Sequence, residues 1–124
     1  MNENDAAEYA DLKSSEVRPA VRFLNDWAAG SHFAKVREEF IEVQEAYRDW
    51  YGAHGDEMPC INPLQESKVK LAGHLMEELA DLQMACETMM AAFMPSRHER
   101  REIRRMVIEK NKARGYYVKR EYEA

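Results

Sequence analysis

Two pairs of acidic residues have a spacing that could bind a metal ion. Glu39 and Glu42 lie three positions apart in one segment, and Glu78 and Asp81 repeat this spacing in another. Residues three apart share one side of an α-helix, so each pair would present two carboxylates together. Carboxylate oxygens without a nearby thiolate suit Mg²⁺ or Mn²⁺ better than Zn²⁺. The sequence therefore predicts a Mg²⁺ site, with Mn²⁺ as a possible substitute.

Each acidic pair rises from the edge of an apolar helix face. In the first helix this face consists of Phe33, Val36, Phe40, Val43, Tyr47 and Trp50, and in the other of Leu71, Leu75, Leu79, Leu82, Cys86, Met89 and Phe93. Glu39 and Glu42 fall roughly 70° and 130° from the centre of the first face, and Glu78 and Asp81 roughly 60° and 120° from that of the second. A charged carboxylate beside a core is costly unless it is paired or bound to a cation. If the two flanks pack together, all four carboxylates converge.

Two further side chains lie one helical turn before these acids. Lys35 precedes Glu39, and its ammonium group could either pair with that acid or reach a phosphate. His74 precedes Glu78 and could orient a substrate or a carboxylate, although a partly buried histidine bonded to a neighbour is the simpler interpretation. A ferritin-like di-iron site would need Glu-x-x-His motifs, which the sequence lacks.

Four helices are predicted to position these groups. The first spans about residues 14–30, with Pro19 in its first turns, and the second spans about residues 31–51. Residues 52–63 form a loop, because Gly and Pro recur there. No strand pattern or internal repeat competes with this interpretation. The predicted fold class is therefore all-α, similar to a four-helix bundle.

The third helix is predicted to begin at about Leu64 or Ser67 and to run to Met94, where Pro95 stops it. Ser96 and Glu99 then have the S-x-x-E pattern of a capping box, which predicts a fourth helix ending before Gly115. This last segment is strongly basic. Ten of the chain's 18 Lys and Arg residues lie in 97–120, against three acids. A solvated face that pairs with acidic helices is the simplest account of Arg100, Arg101, Arg104 and Arg105.

The composition predicts one folded domain with a thin core. Leu, Ile, Val and Phe number 22 of 124 residues, although eight Met, six Tyr and two Trp add apolar mass. Such a core favours self-association. The domain is expected over residues 14–120, after an acidic, Ala-rich arm at 1–13 that is either a loose helix or disordered. Cys60 and Cys86 are interpreted as reduced structural thiols.

The chain is also expected to be cytoplasmic and to bind neither membranes nor nucleic acid. No stretch approaches 18 uninterrupted apolar residues, and the polar start lacks the apolar segment of a signal peptide. The net charge of −5 and the lack of a helix-turn-helix spacing argue against a DNA-binding module.

The acidic motifs resemble those of a known family. Residues 38–42 (EEFIE) followed by 78–81 (ELAD) are similar to the E-E-x-x-E … E-x-x-D signature of the MazG-like all-α nucleoside triphosphate pyrophosphohydrolases. That superfamily includes phosphoribosyl-ATP pyrophosphohydrolases and dimeric dUTPases. Residues 110–117 (KNKARGYY) resemble the K-N-x-x-R-G-[YW] ending of many small members. The resemblance covers roughly residues 17–120, with a longer spacing between the acidic motifs that the loop can absorb.

This resemblance implies a reaction and a set of residue roles. The expected substrate is a nucleoside triphosphate, cut between its α and β phosphates to give the monophosphate and pyrophosphate. The implied metal ligands are Glu39, Glu42, Glu78 and Asp81. Glu38 matches the first Glu of the signature and would position the attacking water, although a plain solvated acid is an equal alternative.

The similar tail implies further contacts to the substrate. Lys110 and Arg114 would hold phosphates, as would Asn111, which could instead contact the sugar or base. The family also suggests a homodimer or homotetramer with its site near the subunit contact. The segment 33–50 and the Met-rich end of the third helix are the predicted interfaces. A non-enzymatic helical module for oligomerisation or binding is the alternative function.

Overall fold

The computed structural model describes residues 17–24, 27–54 and 66–119. These residues form a 3₁₀ turn at Val21–Phe23 and three α-helices, which are α1 (Ala29–His54), α2 (Glu66–Phe93) and α3 (Arg97–Ala113). No strand occurs in these ranges, so the predicted all-α class is confirmed there. The predicted arm at 1–13, most of the loop at 52–63, and Cys60 lie outside the described residues. None of the described helices is long and apolar enough to cross a bilayer.

Helices α1 and α2 pack as an antiparallel pair. His32 and Lys35, near the start of α1, share a cleft with Ala85 and Thr88 near the end of α2. Further along α1, Glu39 meets Glu78, which lies further back along α2. The buried apolar residues of the described helices are all alanines, at positions 46, 72, 85 and 91, and Pro19 is buried in the segment that precedes the helices. Small side chains allow close helix approach, but they give a thin core.

Helix α3 contacts the C-terminal part of α2, where Arg100 pairs with Glu87. Its predicted start is confirmed, because Ser96 Oγ accepts a hydrogen bond from the Glu99 backbone N–H at 3.3 Å. Its predicted end is confirmed as well. Gly115 has a φ of 79°, a left-handed conformation that glycine adopts without strain just after a helix.

The predicted first helix is wrong over its described part. Residues 17–20 are irregular, a single 3₁₀ turn follows, and Gly30 lies inside α1 instead of ending a helix. Pro19 lacks an N–H and disfavours helical geometry at Arg18. In addition, the Ala20 N–H donates to Thr88 Oγ1 on α2 at 2.8 Å, so this segment is tied to a neighbouring helix. The described chain therefore has three α-helices instead of four.

The apolar face predicted for α1 differs from the face that packs on α2. His32, Glu39 and Ala46, spaced seven apart, are the buried residues of α1. Each lies one position before a ring of the predicted face, and those rings, Phe33, Phe40 and Tyr47, are exposed. On α2, Cys86 and Phe93 are also exposed, and Cys86 is a free thiol. Packing through alanines rotates the helices relative to the pattern of large apolar residues.

Candidate metal centre

The structure brings three carboxylates from two helices to one place. Glu39 of α1 and Glu78 and Asp81 of α2 each offer an oxygen that lies within 4.8 Å of the other two. Glu39 is 6% exposed, whereas Asp81 lies at the surface. Oxygens that bind one Mg²⁺ lie about 2.1 Å from it. A small inward movement of these three side chains would therefore let them share an ion.

Glu42 is the fourth member of this group, which we call the carboxylate cluster. Its carboxyl group hydrogen-bonds to Glu39 and also to Glu78, and both neighbours carry like charge. These contacts, with the Glu39 hydrogen bond foremost, raise the pKa of Glu42 from its usual 4.5 to about 7. All four residues predicted as metal ligands thus lie together, and their charges repel one another.

Two oxygens of the carboxylate cluster show that it fits a cation. Glu39 Oε2 and Glu78 Oε2 are buried and have no hydrogen-bond partner. Buried polar atoms nearly always have partners, because an unsatisfied one loses its hydration without compensation. A divalent cation would satisfy both oxygens and neutralise the acids around them. An all-oxygen donor set of this kind suits Mg²⁺ or Mn²⁺.

Lys35 is the cation that this structure places at the cluster. Its Nζ lies 2.9 Å from Glu39 Oε1 and 3.6 Å from Glu38 Oε1. The hydrogen bond to Glu39 raises the pKa of Lys35 above its usual 10.5, so the side chain is fully charged at neutral pH. Of the two roles that the sequence left open, the structure shows the pairing with Glu39.

The other predicted residues of α1 and α2 lie at the edge of the site. The Glu38 side chain is 60% exposed and contacts Lys35, outside the group of four. His74 Nε2 is 3.9 Å from Glu78 Oε1, and its side chain is about half exposed. His74 is therefore beside the cluster but is not one of its buried members.

The predicted phosphate-binding residues are not joined to the carboxylate cluster. Lys110 and Arg114 are exposed at the end of α3, and Asn111 is half-buried. Among the described residues, no hydrogen bond or ion pair connects them to an acid of the cluster. In the described chain, α3 pairs with Glu87 of α2 through Arg100 and Arg104, in the first half of α3, whereas Lys110 and Arg114 follow at its C-terminal end.

The structure also contains an aromatic cleft next to Lys35, which was not predicted from the sequence. The rings of Phe23 and Trp27 stack with centroids 4.3 Å apart, and Trp27 also lies 5.3 Å from the His32 ring. These residues line a cleft with Lys35, Met84 and Thr88. His32 is buried and its Nε2 has no partner. The available signal was the spacing of His32, Lys35 and Glu39, which places all three on one side of a helix.

Comparisons with known proteins give no further assignment. No protein-family model matches this chain, and neither a curated protein nor a solved structure matches it.

Proposed function

We propose that this protein is a Mg²⁺-dependent nucleoside triphosphate pyrophosphohydrolase. The observation that carries the proposal is the pair of buried, unpartnered oxygens on Glu39 and Glu78, set among four carboxylates. A divalent cation at this site would offset the repulsion among its ligands and satisfy both oxygens. The resemblance of these motifs to MazG-like enzymes supplies the reaction class.

The carboxylate cluster supplies the metal ligands in this proposal. Glu39, Glu42, Glu78 and Asp81 would hold Mg²⁺, which when bound neutralises the triphosphate and lowers the pKa of a water. Before that, Glu42 retains a proton near neutral pH, and this proton must leave as the carboxylate becomes a ligand. Glu38 borders the cluster through Lys35 and would position the attacking water.

Lys35 would bind the phosphates of the substrate. Once a metal ion neutralises Glu39, the Lys35 ammonium group is released to contact a phosphate. The cleft of Phe23, Trp27 and His32 beside Lys35 holds only about 30 Å³, which is too little for a nucleobase, so the base would lie outside it. The products would be a nucleoside monophosphate and pyrophosphate.

Self-association would complete the site. Because Lys110, Asn111 and Arg114 do not reach the carboxylates of their own chain, they would contact the substrate only in a neighbouring copy. The exposed rings Phe33 and Phe40 give α1 an apolar face that a homodimer or homotetramer could cover. The same face also favours the second candidate function, a non-enzymatic helical oligomerisation module.

Light scattering separates assembly from catalysis. A Phe93→Glu variant places a charge on a predicted interface, and we expect it to lower mass and activity together. Phe93 is 66% exposed in the single chain, so the change should not disturb the α1–α2 core. A fully active particle of 14.5 kDa at micromolar concentration would contradict the homo-oligomer.

The decisive experiment is a screen of nucleoside triphosphates for pyrophosphate release, with and without Mg²⁺. We expect release only with the metal, and chromatography should identify the monophosphate as the second product. A diphosphate plus free phosphate would mean cleavage at another bond. No turnover of any nucleotide by a protein that still oligomerises would favour the second candidate.

A further inference from the structure

A second charged site lies where α3 meets α2. An open cavity of about 320 Å³ is lined by five arginines, which are Arg18, Arg97, Arg100, Arg101 and Arg104. Among the described residues of this lining, Glu87 is the single acid, and Val17 and Pro19 lie beside it. Over these described residues, five guanidinium groups face one carboxylate, and Arg18 and Arg97 make further interactions of their own. We call this site the arginine cavity.

Three segments build the arginine cavity. On α3, positions 97, 100, 101 and 104 have the spacing of one helix face. On α2, Glu87 is buried and accepts hydrogen bonds from Arg100 Nε at 2.9 Å and from Arg104. The third wall is residues 17–19, held by the bond from the Ala20 N–H to Thr88 Oγ1.

The position of Arg100 is fixed by the backbone as well. This residue is 4% exposed, and its Nη1 donates to the carbonyls of Met94 and Pro95 at 3.0 and 2.6 Å. Arg100 and Glu87 are therefore satisfied by the protein itself. Arg101 differs, since it is exposed and makes no hydrogen bond or ion pair in the described part of the chain.

The excess of positive charge determines what the cavity would bind. Guanidinium groups on one concave surface repel one another, and an oxyanion relieves this repulsion by accepting charge-assisted hydrogen bonds, for which the exposed Arg101 offers its whole fork. The N-terminus of α3 lies on the same side and adds partial positive charge. The cavity volume falls within the range of small-molecule sites.

We propose that the arginine cavity is a binding site for a small ligand with two or more phosphate groups. The site is separate from the carboxylate cluster. Glu87 is nine residues beyond Glu78, which is about 14 Å along the helix and half a turn around it. A pyrophosphate in the cavity therefore cannot touch the carboxylates. The proposal does not depend on the proposed hydrolase activity.

The test is calorimetric titration of the full chain with inorganic pyrophosphate in EDTA at about 0.15 M salt, the physiological ionic strength. EDTA removes divalent cations, so the carboxylate cluster cannot hold the probe through a metal. We expect saturable binding that the Arg101→Gln variant weakens about tenfold, the value of one charge-assisted hydrogen bond. The matched control is Arg105→Gln, because Arg105 lies on the same helix, pairs with Glu102 and is outside the cavity.

The outcomes separate this proposal from its alternatives. If Arg101→Gln binds pyrophosphate more weakly while Arg105→Gln binds it as the wild type does, and both variants melt at the wild-type temperature, the cavity is supported as the site. Competition between a nucleoside triphosphate and pyrophosphate identifies a nucleotide as a possible source of the phosphates, and it also supports the proposal. No binding at millimolar pyrophosphate would overturn it. Binding to a DNA duplex that both variants weaken equally would overturn it too, because a basic helix face would then be the site.

Discussion

The carboxylate cluster and the arginine cavity both place several like charges close together, but they differ in how those charges are neutralised. In the cluster, Lys35 is the only described cation that pairs with Glu39, and it approaches from the edge. In the cavity, buried Glu87 binds Arg100 and Arg104 through its two oxygens. Lys35 leaves the buried Oε2 atoms of Glu39 and Glu78 without partners, whereas Glu87 neutralises the buried Arg100.

The carboxylate cluster is therefore only partly neutralised by Lys35, whereas the Glu87–Arg100 pair of the arginine cavity is complete and helps to hold the fold together. An unsatisfied cluster gains most from an ion that binds only the folded state. A satisfied buried pair instead holds its two helices together, and removal of one partner leaves an uncompensated charge. The counter-ions should therefore respond differently to mutation, and the following experiments test this.

The largest expected effect is on turnover. Each of Glu39→Gln, Glu42→Gln, Glu78→Gln and Asp81→Asn should reduce pyrophosphate release about hundredfold or more, because a neutral amide is a poor ligand for Mg²⁺. Circular dichroism should show unchanged helicity. Glu45→Gln is the control, since Glu45 lies on the exposed side of α1 and should retain full activity. Similar activity in all five variants would contradict the metal centre.

The next effect is on folding, at the arginine cavity. Glu87→Gln should lower the free energy of unfolding by about 3–5 kcal/mol, because it leaves the buried Arg100 without its counter-ion. Urea denaturation would measure this loss. The matched control is Glu102→Gln, which breaks the surface pair with Arg105 and should cost about 1 kcal/mol or less. Equal losses in both variants would mean that Glu87 does not hold α2 and α3 together.

The third prediction concerns pH and Mg²⁺ at the carboxylate cluster. Because the pKa of Glu42 is raised to about 7, the folded protein binds more protons than the unfolded chain between about pH 4.5 and 7. The stability of the metal-free protein should therefore fall as pH rises through that window. Mg²⁺ competes with this proton, so its affinity should rise up to tenfold per pH unit and level off above about pH 7.

Thermal scans at pH 5.5 and pH 8 check both parts of this prediction. Mg²⁺ should raise the melting temperature more at pH 8, where at 100 times its Kd the ligand adds about 2.7 kcal/mol of stability. Glu42→Gln should flatten the pH dependence of the metal-free protein. An identical Mg²⁺ shift at both pH values, or none at millimolar Mg²⁺, would show that the acids do not form a cation site.

Features that depend on residues close together in the sequence could be predicted from the sequence alone. Helical periodicity alone placed Glu39, Glu42, Glu78 and Asp81 on two flanks, and the structure brings these residues together. The cap at Ser96 was equally local. By contrast, the first predicted helix failed because a tertiary hydrogen bond to Thr88 and the restriction at Pro19 act against it.

The arginine cavity was not predicted because its key residue looks unremarkable in sequence. Glu87 is the one charged residue between positions 82 and 94, an apolar stretch that should have drawn attention to it. The spacing of Arg97, Arg100, Arg101 and Arg104 indicated a common face, but a solvated face explained it as well. Only the packing of α3 on α2 shows that Arg100 is buried.

The smallest expected effect is at Lys35, and it tests whether this residue acts as a stand-in cation. Lys35→Met removes the ammonium group beside Glu39, so the metal-free protein should lose about 1 kcal/mol of stability or less. Mn²⁺ affinity, measured from the electron paramagnetic resonance signal of free Mn²⁺, should rise severalfold because a competing positive charge is gone. Lys35→Arg keeps the charge and should bind Mn²⁺ as the wild type does. Weaker binding in Lys35→Met would mean that Lys35 helps to arrange the ligands instead of occupying the place of the ion.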